Sequence, residues 1–273
     1  MLVAWAATSH KRFVPDLFDM ELRALRRDRA ARIGPELFLL DRAFDDCVDR
    51  LSVMQSRFRK ALLLGCPDSD WPERLREFAD KVDVRDPGEL FANNAGGEQL
   101  VEDEWEPAPQ RYDLIVAVGT LDTVNDLPRA LIGLRFALKQ DSLLLGAISG
   151  GGTIPRLRAA MRSADIAAGV AAPHAHPRIE ASALAPLLSN AGFVNPVVDV
   201  DRVAVSYRSL KQLVTDLRRM AATNILTARP RSPLLKSAYS AAAADFSAAG
   251  DGERTTETFE ILHFACWTPA ARE

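Results

Sequence analysis

The sequence predicts a doubly wound α/β fold, and three observations carry that prediction. Short apolar runs alternate with helical segments through the middle of the chain, the pattern of parallel strands joined by crossovers. The first run enters a glycine turn and then a helix. Two long alternating segments close the chain with helices between them, outside the regular crossover spacing.

The elements follow in order. Residues 16–32, "DLFDMELRALRRDRAAR", are rich in helix formers and in Arg/Asp pairs, and residues 37–54, "LFLLDRAFDDCVDRLSVM", repeat apolar residues near the helical period, so two helices precede the first strand. Within the first, the run Arg26-Arg27-Asp28-Arg29 reads as a solvated face, a basic run interrupted by an acid, with contact to phosphate or an acidic partner as the other reading. The runs "KALLLG", "KVDVRD", "YDLIVAVGTL" and "SLLLGAIS" are strands, and "DWPERLREFA" and "DLPRALIGLRFALK" are helices between them. Then "GGGTIPRLRAAMRSADIAAG" is a glycine turn into an amphipathic helix, and "ASALAPLLSNAG" is a helix closed by Gly192. The strand "FVNPVVDVDRVAVSYRS", two helices within 209–250 and the final strand "RTTETFEILHFACWTP" complete the chain. The expected sheet has seven strands with the last inserted antiparallel beside the fifth. Residues 1–57 form an N-terminal helical extension, and 58–273 a domain whose sheet edge is capped by 209–250.

Bulk properties narrow the function. The chain has 273 residues, 48% of them apolar, enough for one core with appendages. Its formal net charge of −3 lacks the basic footprint of nucleic-acid binding. The three cysteines, Cys47, Cys66 and Cys266, are odd in number and show no C-x-x-C spacing, so they read as reduced thiols. The opening "MLVAWAATSHKRFVP" places its basic residues after the apolar run, the reverse of a secretory signal. No apolar run approaches the roughly 18 residues of a membrane span. The expectation is a soluble, cytoplasmic protein with small-molecule or protein partners.

In such a sheet the ligand lies beyond the carboxyl ends of the strands, next to the first. The turn there reads Gly65-Cys66-Pro67-Asp68-Ser69-Asp70. Pro67 has no N–H to offer, and Ser69 adds a side chain where close backbone approach is wanted. Asp86 ends the second strand about twenty residues on, where an acid either accepts both ribose hydroxyls or caps the turn before Pro87-Gly88. Asp103 and Glu104 follow the third strand and either meet an adenine amino group or form an acidic surface loop. After the fourth strand, Asp122 is a candidate general base or substrate contact, with a solvated loop aspartate as the alternative. Asp126 reads as a helix N-cap. His174-Ala175-His176 has alternate spacing on an extended segment, but no third ligand accompanies it, so no metal site is expected.

These motifs carry a resemblance. The strand order and "LLLGC" resemble the Rossmann-like class I S-adenosylmethionine-dependent methyltransferases. The segments "FDMELRALRRDRAAR", "YDLIVAVGTLDTVNDLPRALIGLRFALK", "GGGT" and "DLRRMAATN" narrow this to the methyltransferase-like assembly factor of respiratory complex I. Its mitochondrial relatives are arginine hydroxylases acting on a complex I subunit, and the biotin-pathway methyltransferase that esterifies malonyl-carrier protein is more distantly similar. The resemblance implies S-adenosylmethionine held by Gly65, Cys66, Pro67, Ser69, Asp86, Asp103 and Glu104, and a protein substrate or partner subunit. It also marks departures. The family's loop acid is Leu63, its later glycines are Pro67 and Ser69, and its His-Trp before "VNDLP" is Asp122-Thr123. Loss of one charge-assisted hydrogen bond is worth on the order of 1.5–3 kcal/mol, and with the added steric loss affinity falls by about a hundredfold or more. Two functions are therefore open: an enzyme of the methyltransferase or hydroxylase type with a degenerate cofactor loop, and a non-catalytic member that grips a polypeptide through its helical cap.

Overall fold

The computed structural model describes residues 16–54 and 56–270. The reading of the first fifteen residues lies outside the described residues. Two helices lead, α1 (Met20–Ile33) and α2 (Phe38–Met54). Then come β1 (Ala61–Leu64), α3 (Trp71–Arg76), β2 (Val82–Asp86), α4 (Glu89–Asn94), β3 (Glu98–Gln99), β4 (Tyr112–Val118), α5 (Leu127–Ala137) and β5 (Leu138–Ser149). The remainder is α6 (Pro155–Ala168), α7 (Ala181–Asn190), β6 (Val194–Tyr207), α8 (Leu210–Arg219), α9 (Lys236–Ala248) and β7 (Thr255–Trp267).

One sheet organises the described chain, in the order β3-β2-β1-β4-β5-β7-β6. Strands β1 to β5 run parallel, and β7 enters antiparallel between β5 and β6. The fold predicted from the alternation is the one observed, including the two helices inserted between β6 and β7. The central strand β1 is apolar on both faces because both are covered: Leu62 and Leu64 pack with α5 and α7, whereas Ala61 and Leu63 pack with α2 and α3. A third cluster joins α6, α8 and α9 through Leu213, Leu217, Ala160 and Phe246.

Local chemistry fixes the ends of several elements. Asp126 caps α5 by accepting from Arg129 N at 3.0 Å. The helix α6 has no side-chain cap at Ile154, and Glu257 of β7 replaces it by accepting from Arg156 N and Leu157 N. β3 has only two residues, and α8 ends at Arg219, after which Ala221 adopts φ 56°. That turn brings Ile225 and Leu226 against Phe18, a small cluster that closes the segment before α1.

Candidate functional site

The site begins at the end of β1. Gly65 has φ 85°, and a Cβ there would come within 2.1 Å of Val118 O, so only glycine lets the chain turn this close to β4. Cys66 and Pro67 are buried, whereas Ser69 is exposed. Burial, with the nearby Asp86 and Asp68, pushes the Cys66 thiol up, out of the range of a nucleophile. Leu63, where the family has an acid, has no exposed surface and packs in the core.

Asp86 ends β2 beside this turn, as expected, but its carboxylate is already engaged. Arg27 reaches it from α1 with Nε donating to Oδ1 at 2.7 Å and Nη2 to Oδ2 at 2.5 Å. Cys66 N donates to Oδ2 at 2.8 Å and Gly88 N to Oδ1 at 2.7 Å. A carboxylate has about four lone-pair positions, and all are used. Both side chains are buried, that of Asp86 completely. Burial opposes the charge on Arg27, but the Asp86 carboxylate overrides it and raises the guanidinium pKa. The run Arg26-Arg27-Asp28-Arg29 is thus not a uniformly solvated face: Arg29 is exposed, whereas Arg27 is buried. Its sequence carries no mark of a partner that arrives from β2.

Arg23, one turn earlier on the same face of α1, repeats the arrangement. It donates to both oxygens of Glu102, at 2.5 and 3.0 Å, and to Thr120 O at 2.7 Å. Two further contacts seat the helix. Asp28 Oδ1 accepts from Leu90 N at 2.9 Å, and Gly88 is the residue that permits the approach, since a Cβ there would lie 2.6 Å from the Arg27 Cβ. The helix therefore lies across the carboxyl ends of β1, β2 and β4, where a dinucleotide or adenosyl ligand would rest in this architecture. With Asp86 saturated, its carboxylate offers no free acceptor to the ribose hydroxyls of S-adenosylmethionine in this arrangement.

The other expected residues are placed as follows. Asp103 accepts from Asn125 N and Asp126 N, tying the turn before α5, and Glu104 is exposed. Asp122 accepts from Arg178 Nη1 at 2.5 Å, with both side chains largely buried. The two histidines of the extended segment diverge: His174 Nε2 meets Asp165 at 2.7 Å, and His176 Nε2 accepts from Ile225 N at 2.9 Å. Burial, together with Arg178, lowers the His176 pKa to about 3. Arg23, Glu102 and Arg178 escaped the sequence reading, and Arg27 entered it only within the basic run 26–29, for which contact to an acidic partner was the second reading. The i, i+4 spacing of Arg23 and Arg27 with Ala30 on one helix face was the available signal for the two arginines.

Comparison with known proteins now adds to this geometry. The methyltransferase domain family matches residues 38–196. The chain belongs to this family. Arginine-hydroxylase NDUFAF5 of Rattus norvegicus is 30% identical over 267 residues, covering 92% of this chain and 77% of that protein. The Danio rerio protein of the same name is 27% identical over 93% of this chain and 83% of its own length. These place the chain within the NDUFAF5 family, as the resemblance of its motifs implied. A malonyl-[acyl-carrier protein] O-methyltransferase from Xylella fastidiosa is similar over a shorter stretch, 30% identical across 60% of this chain and 54% of that one. Among solved structures, the YcgJ protein from Bacillus subtilis superposes with a TM-score of 0.56 at 9% identity, over 81% of this chain and 97% of that chain, which supports the fold. The relatives named NDUFAF5 are mitochondrial, and no helix among the described residues is long and apolar enough to cross a membrane.

Proposed function

We propose that this methyltransferase-fold protein serves, like the assembly factors it resembles, in the building of a respiratory complex by engaging a polypeptide, and that it binds S-adenosylmethionine weakly or not at all while α1 is docked. The observation that carries the second half is the Asp86 carboxylate, closed to solvent and saturated by Arg27, Cys66 N and Gly88 N. The helical insertion supports the first half. It is bound to both ends of α1, through Arg219 to Gly34 O and Glu36 and through Arg229 to Asp19, so a polypeptide gripping the insertion also bears on the helix that covers the site. Net charge −3 disfavours nucleic acid as partner, and three free cysteines, all buried, favour a reducing compartment such as the cytoplasm.

Asp122 stays a candidate for orienting a substrate, through its pair with Arg178 rather than as a free base. Calorimetric titration with S-adenosylmethionine and S-adenosylhomocysteine tests the proposal. Dissociation constants in the millimolar range or no detectable heat are expected. Micromolar binding abolished by Asp86→Ala would overturn it and return the chain to the cofactor-dependent enzymes. The non-catalytic reading predicts the same titration, together with recovery of a protein partner whose binding is indifferent to S-adenosylmethionine.

A further inference from the structure

A cavity of about 120 Å³ lies beside the docked helix, under α2, the end of α8 and β7. Its walls are mainly apolar, with Leu39, Leu40, Leu217, Phe259 and Ile261 among them, and His176 and Arg178 stand at its polar end. The hydrogen bonding of these two residues is incomplete in a particular way. Ile225 N donates to His176 Nε2 at 2.9 Å, so Nε2 is the unprotonated nitrogen and a neutral ring carries its proton on Nδ1. Arg178 Nη2 lies 3.4 Å from that Nδ1. A guanidinium has only donors, so two N–H groups face one another with no acceptor between them. Inverting the tautomer does not help, because Nε2–H would then face the Ile225 N–H.

The surroundings favour an anion for the missing acceptor. Arg178, Arg26 and Arg158 all bear on the ring, against the carboxylate of Asp122, while Glu260, which also lines the cavity, is held by Arg202 and Gly152 N. Arg178 spends Nη1 on Asp122, leaving Nη2 for the cavity. His176 is 5% exposed and the Arg178 side chain 8%, so neither donor is freely compensated by bulk water. The size of the space limits the ligand: cavities of about 150 Å³ hold benzene, so this one of about 120 Å³ takes at most about six non-hydrogen atoms.

We propose that this cavity binds a short aliphatic monocarboxylate, its carboxylate received by His176 Nδ1–H and Arg178 Nη2 and its tail laid against Leu39, Leu217 and Phe259. Asp86 itself does not line the cavity, although its partner Arg27 does, and the two donors that would hold the carboxylate are distinct from that ion pair.

The test is calorimetric titration and thermal denaturation of the full chain with butanoate, beside butanamide as the uncharged match and acetate as the match without a tail. Butanoate is expected to bind and raise the melting temperature, with butanamide and acetate each at least about tenfold weaker. Two variants locate the effect. Arg178→Lys keeps a cation for Asp122 but removes the second donor, and Leu39→Trp fills the space from a half-buried position. Both are expected to lose at least about tenfold in butanoate affinity. Should Arg178→Lys fail to fold, Leu39→Trp decides alone. No response to butanoate would mean that water alone supplies the missing acceptor. That result, an equal response to butanamide, or undiminished binding in Leu39→Trp would overturn the proposal.

Discussion

Arg27 and Asp86, 59 positions apart, form a doubly hydrogen-bonded ion pair in the place where this fold holds the polar part of a nucleoside. The pair sets two consequences against each other. Removing one member of a buried ion pair costs about 3–5 kcal/mol, because the other charge is left without compensation. Removing Arg27 also frees two lone-pair positions on Asp86. Arg27→Ala is therefore expected to lower the melting temperature markedly, and millimolar S-adenosylmethionine is expected to restore part of the loss, with no such effect on the parent chain. Differential scanning calorimetry with and without ligand checks both. A variant that melts lower and ignores the ligand would show that more than the arginine has closed the pocket.

Arg23 and Glu102 allow a cleaner measure of what docking α1 contributes. The single change Glu102→Gln leaves the Arg23 guanidinium with a neutral partner, and a cost of about 3 kcal/mol or more is expected. The double change Arg23→Met with Glu102→Leu removes both charges, and Thr120 O, which loses Arg23, still accepts from Thr123 N and Thr123 Oγ1. It should therefore be less damaging than the single change. Chemical denaturation of the three proteins gives the comparison, and a double variant weaker than the single one would show that the bond to Thr120 O outweighs the ion pair.

Acid should weaken the fold through His176. Its folded pKa of about 3, lowered by burial and by Arg178, lies below the ordinary value of 6.5. Between these two values the unfolded chain binds a proton that the folded chain refuses, so stability rises with pH across this window and is lost as pH falls. The slope from this one ring is up to about 1.4 kcal/mol per unit. His176→Gln, whose amide oxygen can accept from Ile225 N, should flatten the profile between pH 4 and 6 by roughly that amount per unit. A parallel profile in the variant would place the acid sensitivity elsewhere.

The reach of sequence reasoning here follows the range of the interactions involved. Alternating apolar runs revealed β1, β2, β4 and β5 because each buried face is written locally, and Asp126 was legible as a cap because its partner, Arg129 N, lies three residues on. Asp86 was placed correctly at the end of β2, yet its engagement was invisible, since Arg27 belongs to a helix whose sequence is polar almost all round. The acidic stretch 102–104 shows the same limit. Asp103 and Glu104 drew attention, but Glu102 is the buried member, selected by an arginine 79 positions away. Contacts decided by tertiary docking leave no period to read.

Glu257 offers a prediction on the fold rather than the pocket. Its carboxylate accepts from Arg156 N, Leu157 N and Thr258 N, two of these being the open donors at the start of α6. Glu257→Ala leaves these part-buried donors without that partner, at about 1–3 kcal/mol. Hydrogen exchange should then speed in the first turn of α6 while β1 and β4 keep their protection. Uniform acceleration throughout the sheet would mean that the cap supports the whole domain.

Restoring the family's loop is the sharpest test of what the departures mean. Pro67→Gly and Ser69→Gly return backbone freedom at a turn whose geometry Gly65 already sets. Leu63→Asp is different in kind, because Leu63 has no exposed surface and packs among the residues under α2 and α3. A carboxylate there lacks a paired cation among the core contacts and should destabilise the chain by several kcal/mol. The glycine pair alone is therefore expected to fold and still not bind S-adenosylmethionine, since Asp86 remains saturated. Adding Arg27→Ala to the pair should produce measurable binding by calorimetry. Binding by the glycine pair with Arg27 intact would show that the loop, and not the ion pair, closes the site.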